Sequence, residues 1–143
     1  MMNHKGSCLC GKMQYETGEL SSHIDHCHCT YCQKFHGAPF GTYAEIIDPS
    51  SFRWIEGGES VGRYQSSSHS ARLFCVNCGS SLVAEIDGGK ILAVTLGTLD
   101  DNTDVKSAVH MFTRSKVSWY DIGEDEEQFE EYPPGMSQFT PSD

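Results

Sequence analysis

The stretch Cys27-His28-Cys29-Thr30-Tyr31-Cys32 places three thiols within six residues, a density with few uses other than holding a metal ion. Cys27 and Cys29 are two apart, so on an extended backbone both side chains leave the same face. Cys32 follows three further on, the spacing of a tight turn or a first helical turn that swings a third sulfur back toward the other two. Three protein ligands leave a fourth position for something else. In zinc chemistry an open position goes with catalysis and four protein ligands go with structure.

Seven cysteines occur in all, and they fall into three groups. The first is Cys8 and Cys10 in Gly6-Ser-Cys-Leu-Cys-Gly11, the second is the stretch above, and the third is Cys75 and Cys78 in Phe74-Cys-Val-Asn-Cys-Gly79. The chain opens Met-Met-Asn-His-Lys-Gly-Ser-Cys, without the apolar core of a signal peptide. A cytoplasmic protein is therefore expected, where thiols stay reduced and cysteines read better as metal ligands than as disulfides. The odd count also disfavours a complete disulfide framework.

The simplest partition joins Cys8 and Cys10 to Cys75 and Cys78 as a four-sulfur site and leaves Cys27, Cys29 and Cys32 as a three-sulfur site. Glycine follows the last cysteine of both two-sulfur groups, as in zinc knuckles, where the turn aims backbone N–H groups at sulfur. Gln33 follows Cys32 instead. Two alternatives stay open: a redox pair at Cys75 and Cys78, and closure of the three-sulfur site by His26, His28 or His36. Cys32 and His36 have the right spacing for that closure.

The rest of the chain reads as short strands. Lys12–Thr17, Phe40–Ile47, Phe52–Glu56, Gly62–Ser66 and Ala71–Cys75 are strand candidates, and Cys8 and Cys10 are expected on an extended segment that turns at Gly11. Ser81–Ile86 and Lys90–Leu96 form a hairpin across Asp87-Gly-Gly89. The nearly continuous apolar run Ile91–Leu96 predicts a central strand buried on both faces. Val109–Phe112 is a further short strand, 100–104 a loop, and 33–36 a helical turn or two stopped by Gly37 and Pro39. The class is mainly β with little helix.

At 143 residues a single domain buries roughly 68% of the surface its unfolded chain exposes. The expected division is a zinc-binding β domain over 1–123 and an acidic, proline-containing tail over 124–143, where Glu-Asp-Glu-Glu-Gln-Phe-Glu-Glu gives way to Pro-Pro-Gly. No apolar run approaches the roughly 20 residues that span a bilayer. A formal net charge of −10 argues against a nucleic-acid partner, because phosphate binding needs a basic face.

Taken with Val109-His-Met-Phe-Thr-Arg-Ser-Lys-Val-Ser-Trp-Tyr120, the three cysteine motifs resemble the glutathione-dependent formaldehyde-activating (GFA) enzyme family, also known as the centromere-protein-V/GFA domain. The resemblance runs from about Gly6 to Gln128. It implies a mainly β domain of short antiparallel strands in complex-coil topology, the superfamily fold of methionine-R-sulfoxide reductases and Rab-exchange-factor-like zinc chaperones. It further implies two Zn²⁺ ions per chain, a structural one on Cys8, Cys10, Cys75 and Cys78 and a functional one on Cys27, Cys29 and Cys32. The family's named activity is a carbon–sulfur lyase reaction, joining formaldehyde and glutathione reversibly to S-hydroxymethylglutathione. The partners it implies are thus a small thiol such as glutathione and an aldehyde. The chain departs from the family pattern before His110, where a proline is missing, and in its acidic tail.

A zinc on three thiolates is a modest Lewis acid, whose expected use is to take a substrate thiol and strip its proton. The expected catalytic set is Cys27, Cys29 and Cys32 with His28 and His36, Tyr31 being a further candidate proton donor. Lys34, Arg53, Arg72, Arg114 and Lys116 are candidates to meet substrate carboxylates. A zinc-stabilised interaction module without catalysis is the alternative function. A thiol or sulfoxide reductase ranks last, because the partition leaves no spare cysteine.

Overall fold

The computed structural model describes residues 3–101, 103, 105 and 107–134; the expected loop over 100–104 lies partly outside them, and the tail beyond Pro134 wholly so. The first unit is a hairpin of β1 (His4–Ser7) and β2 (Gln14–Thr17), paired from His4 with Thr17 to Ser7 with Gln14. Cys8 and Cys10 were expected on an extended strand, but they sit in the turn of this hairpin. The Gly11 N–H donates to the Cys8 carbonyl at 3.0 Å, and Gly11 takes φ 79°. The reason is connectivity: β2 returns antiparallel to β1, so the chain must reverse between them. β5 (Arg53–Glu56) completes a three-stranded sheet on the far side of β2.

The second sheet has eight strands. In chain order they are β3 (Ile24–Cys27), β4 (Gly41–Glu45), β6 (Val61–Gln65), β7 (Ser70–Cys75), β8 (Ser81–Ile86), β9 (Lys90–Thr95), β10 (Ala108–Met111) and β11 (Glu127–Gln128). Their spatial order is β11-β10-β3-β4-β9-β8-β7-β6. β9 is central, as its apolar run predicted, but not buried throughout, Leu92 and Thr95 being only partly covered, and the β8–β9 hairpin turns at Gly88 and Gly89 with φ 76° and 85°. Antiparallel pairing holds except at β10, which runs parallel to both β3 and β11. The one α-helix among the described residues, α1 (Thr30–His36), ends at Gly37 in the left-handed region.

Two apolar clusters divide the interior, and each contains one group of thiols. Met13, Tyr15, Leu73, Leu82 and Val94 surround Cys8 and Cys75. Tyr43, Ala93, Met111 and Phe112 surround Cys27, Cys29 and Cys32. Tyr15 is fully buried, stacked on Phe52 and edge-on to Trp54, with its hydroxyl 2.7 Å from Thr98 Oγ1. Burying a ring of that kind contributes about 1.5–3 kcal/mol.

The acidic segment is docked as far as it is described. β11 pairs with β10, the Phe129 N–H donates to the His110 carbonyl at 2.8 Å, and the Tyr132 ring meets Phe112 edge-on at 4.9 Å. Backbone bonds repay its polarity where apolar side chains are scarce. No helix among the described residues is long and apolar enough to cross a membrane.

Candidate metal centres and the adjoining cavity

The four thiols of Cys8, Cys10, Cys75 and Cys78 lie within 4.8 Å of one another. They come from the turns of two hairpins, β1–β2 and β7–β8, and both turns use a left-handed glycine, Gly11 and Gly79. Cys8 and Cys10 sulfurs are 3.6 Å apart, and those of Cys10 and Cys75 are 3.9 Å apart. Four sulfurs at about 2.3 Å from a tetrahedral zinc stand about 3.8 Å from each other, so the donor set fits that ion. The Met13 N–H donates to Cys8 Sγ at 3.3 Å, the contact expected of a knuckle. Hydrogen bonding from Ser80 brings the Cys78 thiol down to about 5, whereas burial pushes Cys8 up.

The three-thiol group is built differently. Cys27 ends β3, Cys29 caps α1 from an extended conformation, and Cys32 lies in the first helical turn. Cys29 Sγ accepts the Cys32 N–H at 3.3 Å, so a helix cap supplies what the glycine turn supplies elsewhere. All three are buried, at 7%, 4% and 4% exposure, and their sulfurs also lie within 4.8 Å of one another. Among the described residues no imidazole or carboxylate joins them. Closure of this site by His26, His28 or His36 is therefore not what the side chains do.

Negative charge here gathers on Cys32. Hydrogen bonds from Cys27 and Cys29 hold its thiol well below the ordinary value against the cost of burial, with help from the Arg72 guanidinium. Arg72 Nη1 lies 3.5 Å from Cys32 Sγ and 3.4 Å from Tyr43 Oη, and Tyr43 Oη lies 3.4 Å from the same sulfur. His36 Nε2 stands 2.6 Å from Tyr43 Oη. His36 thus reaches the thiols through Tyr43, for which Gly41 makes room: a Cβ there would lie 2.7 Å from the imidazole.

His28 is elsewhere. Alternation along a strand sends Cys27 to one face and its neighbours to the other. His26 and His28 lie together with His110 and Phe40 behind the sheet. His28 Nε2 is 2.7 Å from His110 Nδ1, and His110 Nε2 is 3.0 Å from Glu126 Oε1. An ionised carboxylate only accepts, so His110 carries its proton on Nε2 and receives the His28 Nε2–H on Nδ1. His28 Nδ1 is left as a buried lone pair without a partner. Burial, and then the neighbouring His110, lower His26 and His28 to about 4.

The three sulfurs open into a cavity of about 100 Å³ walled by Leu92, Ala93, Met111, Phe112 and Tyr132. Phe112 holds φ 57°, the one left-handed non-glycine residue among those described. Its N–H donates to the Glu131 carbonyl and that of Thr113 to the Phe129 carbonyl, so the docked acidic segment sustains the strained wall. Asp25, Glu45 and Glu85 also face this space.

Of the basic candidates, only Arg72 lines the cavity. Arg53 pairs with Glu16, Arg114 with Glu131, and Lys116 donates to the carbonyls of Val117 and Tyr120. Lys34 and Tyr31 are exposed. Trp54 packs on the core and Trp119 is exposed. Tyr43, Tyr132, Asp25 and Glu45 escaped the sequence reading. Two-residue spacing from Cys27 was a usable signal for Asp25.

Comparison with known proteins gives a consistent result. The family model described as glutathione-dependent formaldehyde-activating enzyme matches residues 3–115. A Schizosaccharomyces pombe protein named as an uncharacterised lyase is 32% identical over 90 residues, 63% of this chain and 63% of that protein's length. A crystal structure of a Rhodobacter sphaeroides protein superposes with a TM-score of 0.55 at 21% identity, covering 87% of this chain and 98% of the other. That last likeness concerns the fold.

Proposed function

The chain belongs to the glutathione-dependent formaldehyde-activating enzyme family, and from that membership we propose that it is a zinc-dependent carbon–sulfur lyase acting on a thiol–aldehyde adduct. The adduct is S-hydroxymethylglutathione or a related species. Three buried thiols that converge on a cavity, with no fourth donor from the described residues, carry this reading. Cys8, Cys10, Cys75 and Cys78 would hold a structural zinc, and Cys27, Cys29 and Cys32 a functional one. When bound there, zinc supplies a fourth position at which a substrate thiol is deprotonated.

The remaining chemistry falls to side chains. In the joining direction the sulfur lone pair forms a bond to the aldehyde carbon, the C=O π pair moves onto oxygen, and that oxygen takes a proton. Tyr43 is the nearest donor. Its burial keeps the phenol protonated, well above the ordinary value. His36 Nε2 stands within hydrogen-bonding distance of Tyr43 Oη and so orients the phenol, the proton passed on being replaced from solvent. Arg72 offsets the anionic sulfurs and, stacked near the Tyr31 and Phe35 rings at 5.9 and 5.6 Å, keeps its fork directed at Cys32. His28 contributes as a strut behind the ligand turn. A reduced, cytoplasmic setting suits seven free thiols.

The test is exchange NMR of formaldehyde with a panel of thiols, with and without the zinc-loaded protein. Accelerated exchange for at least one thiol is expected. No acceleration for any of them would favour the zinc-stabilised interaction module.

A further inference from the structure

We propose that the thiol selected by this cavity bears a cationic substituent, an aminothiol, rather than the two carboxylates of glutathione. The inference rests on the lyase reading of the same site and narrows its substrate class. It starts from the charges that face the cavity. Asp25, Glu45 and Glu85 do so from β3, β4 and β8, whereas Arg72 is the one cation. The guanidinium is already engaged by Cys32 Sγ and Tyr43 Oη. Glu85 is neutralised by Arg63 at 2.7 Å. Asp25 and Glu45 remain.

Asp25 is the sharper of the two. It is 1% exposed, and its Oδ1 has no hydrogen-bond donor. The half-exposed His23 Nε2 lies 3.1 Å from that oxygen and is its one ion-pair neighbour among the described residues. A buried acceptor without a donor is costly, and an ammonium brings three donors together with the opposite charge. Glu45 makes no ion pair among the described residues.

Position agrees with chemistry. Asp25 precedes Cys27 by two residues on β3, so both side chains share a face about 7 Å apart along the strand. Asp25 pairs with Tyr43 on β4, which puts Glu45 at the next same-face position of the neighbouring strand. An ammonium two or three carbons from a sulfur seated at the thiol cluster reaches toward this acidic end. A carboxylate in the same place meets like charge, and with Arg72 engaged it has no free cation to turn to.

The experiment is a binding titration of the Co²⁺-substituted full-length protein, following the thiolate-to-cobalt charge-transfer band. The probes are cysteamine, 2-mercaptoethanol, 3-mercaptopropionate and glutathione, each affinity being corrected for the probe's own thiolate fraction. Cysteamine is expected to bind at least 10-fold more tightly than 3-mercaptopropionate. Glu45→Gln, and separately Asp25→Asn, should shrink that ratio several-fold, as should 0.5 M salt. Equal affinities, or a preference for glutathione, overturn the aminothiol proposal and leave the lyase reading standing. If no probe perturbs the cobalt band, thiol coordination fails and both fall together.

Discussion

His28 Nε2 and His110 Nδ1 lie 2.7 Å apart on the face of the sheet opposite the three sulfurs. The bond links the residue between two thiols to the strand that carries the acidic segment. Its far end is Glu126 at 3.0 Å. The ligand turn is thus braced from behind, by a chain whose proton positions are set by a carboxylate that only accepts.

Loss of that brace should appear as faster zinc loss from the three-thiol site alone. Partners behind a metal site typically contribute 10–100-fold to affinity. His110→Ala is expected to fall in that range and to destabilise the fold by about 1–3 kcal/mol through the unpaired His28. Glu126→Ala should give a smaller effect in the same direction. Chelator competition, with zinc release followed by dye, distinguishes the sites by their rates. Unchanged release in both variants would remove the strut role.

The two thiol groups should differ in what they do for folding. Cys75→Ser breaks a closed site whose metal contributes on the order of 10–16 kcal/mol in small zinc domains, so an unfolded or insoluble chain is expected. Cys29→Ser should leave a folded protein with one zinc. Metal analysis with circular dichroism checks both. Equal collapse of the two variants contradicts the division of labour.

Tyr43→Phe removes one hydroxyl from between Cys32, His36 and Arg72. The variant should fold, keep two zincs and lose about 10²–10⁴-fold in the rate of adduct exchange, with little change in thiol affinity. A normal rate would mean that the proton comes from elsewhere, most directly from solvent.

Acidification should weaken the fold between pH 6.5 and 4. His26 and His28 sit near 4 in the native chain against 6.5 when free. In that window the unfolded chain binds protons that the native one refuses, so stability is present above pH 6.5 and is lost as pH falls toward 4. His36 shifts in the same sense. Asp25 and Glu45, raised rather than lowered, act oppositely, so the net loss is smaller than the histidines alone would give. Imidazole NMR at pH 5 should show His26 and His28 still neutral. A midpoint near 6.5 for either would contradict this.

Much of this architecture was legible in the chain because cysteine spacing is a local signal. Paired thiols followed by glycine marked two turns, and three thiols without that glycine marked a site of another kind. The β8–β9 hairpin and the central strand were equally local. What escaped was set by pairing between distant strands. Tyr43 reaches Cys32 because β4 lies beside β3, and Tyr132 reaches the cavity because the segment expected as an acidic tail docks on β10. Its few apolar residues gave no hint, since backbone hydrogen bonds hold much of it. His28 lies away from the sulfurs for a simpler reason: adjacency in sequence to two ligands places a strand residue behind the sheet.

The span from Cys10 to Cys75, 65 positions, also sets an order of events during synthesis. At about 5–20 residues per second, the first thiol pair leaves the ribosome roughly 3–13 s before its partners do. Through that interval Cys8 and Cys10 have no closed site to enter, and stray metals or oxidants meet them unprotected. Tyr132 emerges later still, so the cavity acquires its last wall only after both thiol groups are made. With zinc as the proposed occupant of that site, a shortage at that moment would leave chains holding an open first hairpin, a vulnerability of timing that equilibrium stability does not reveal.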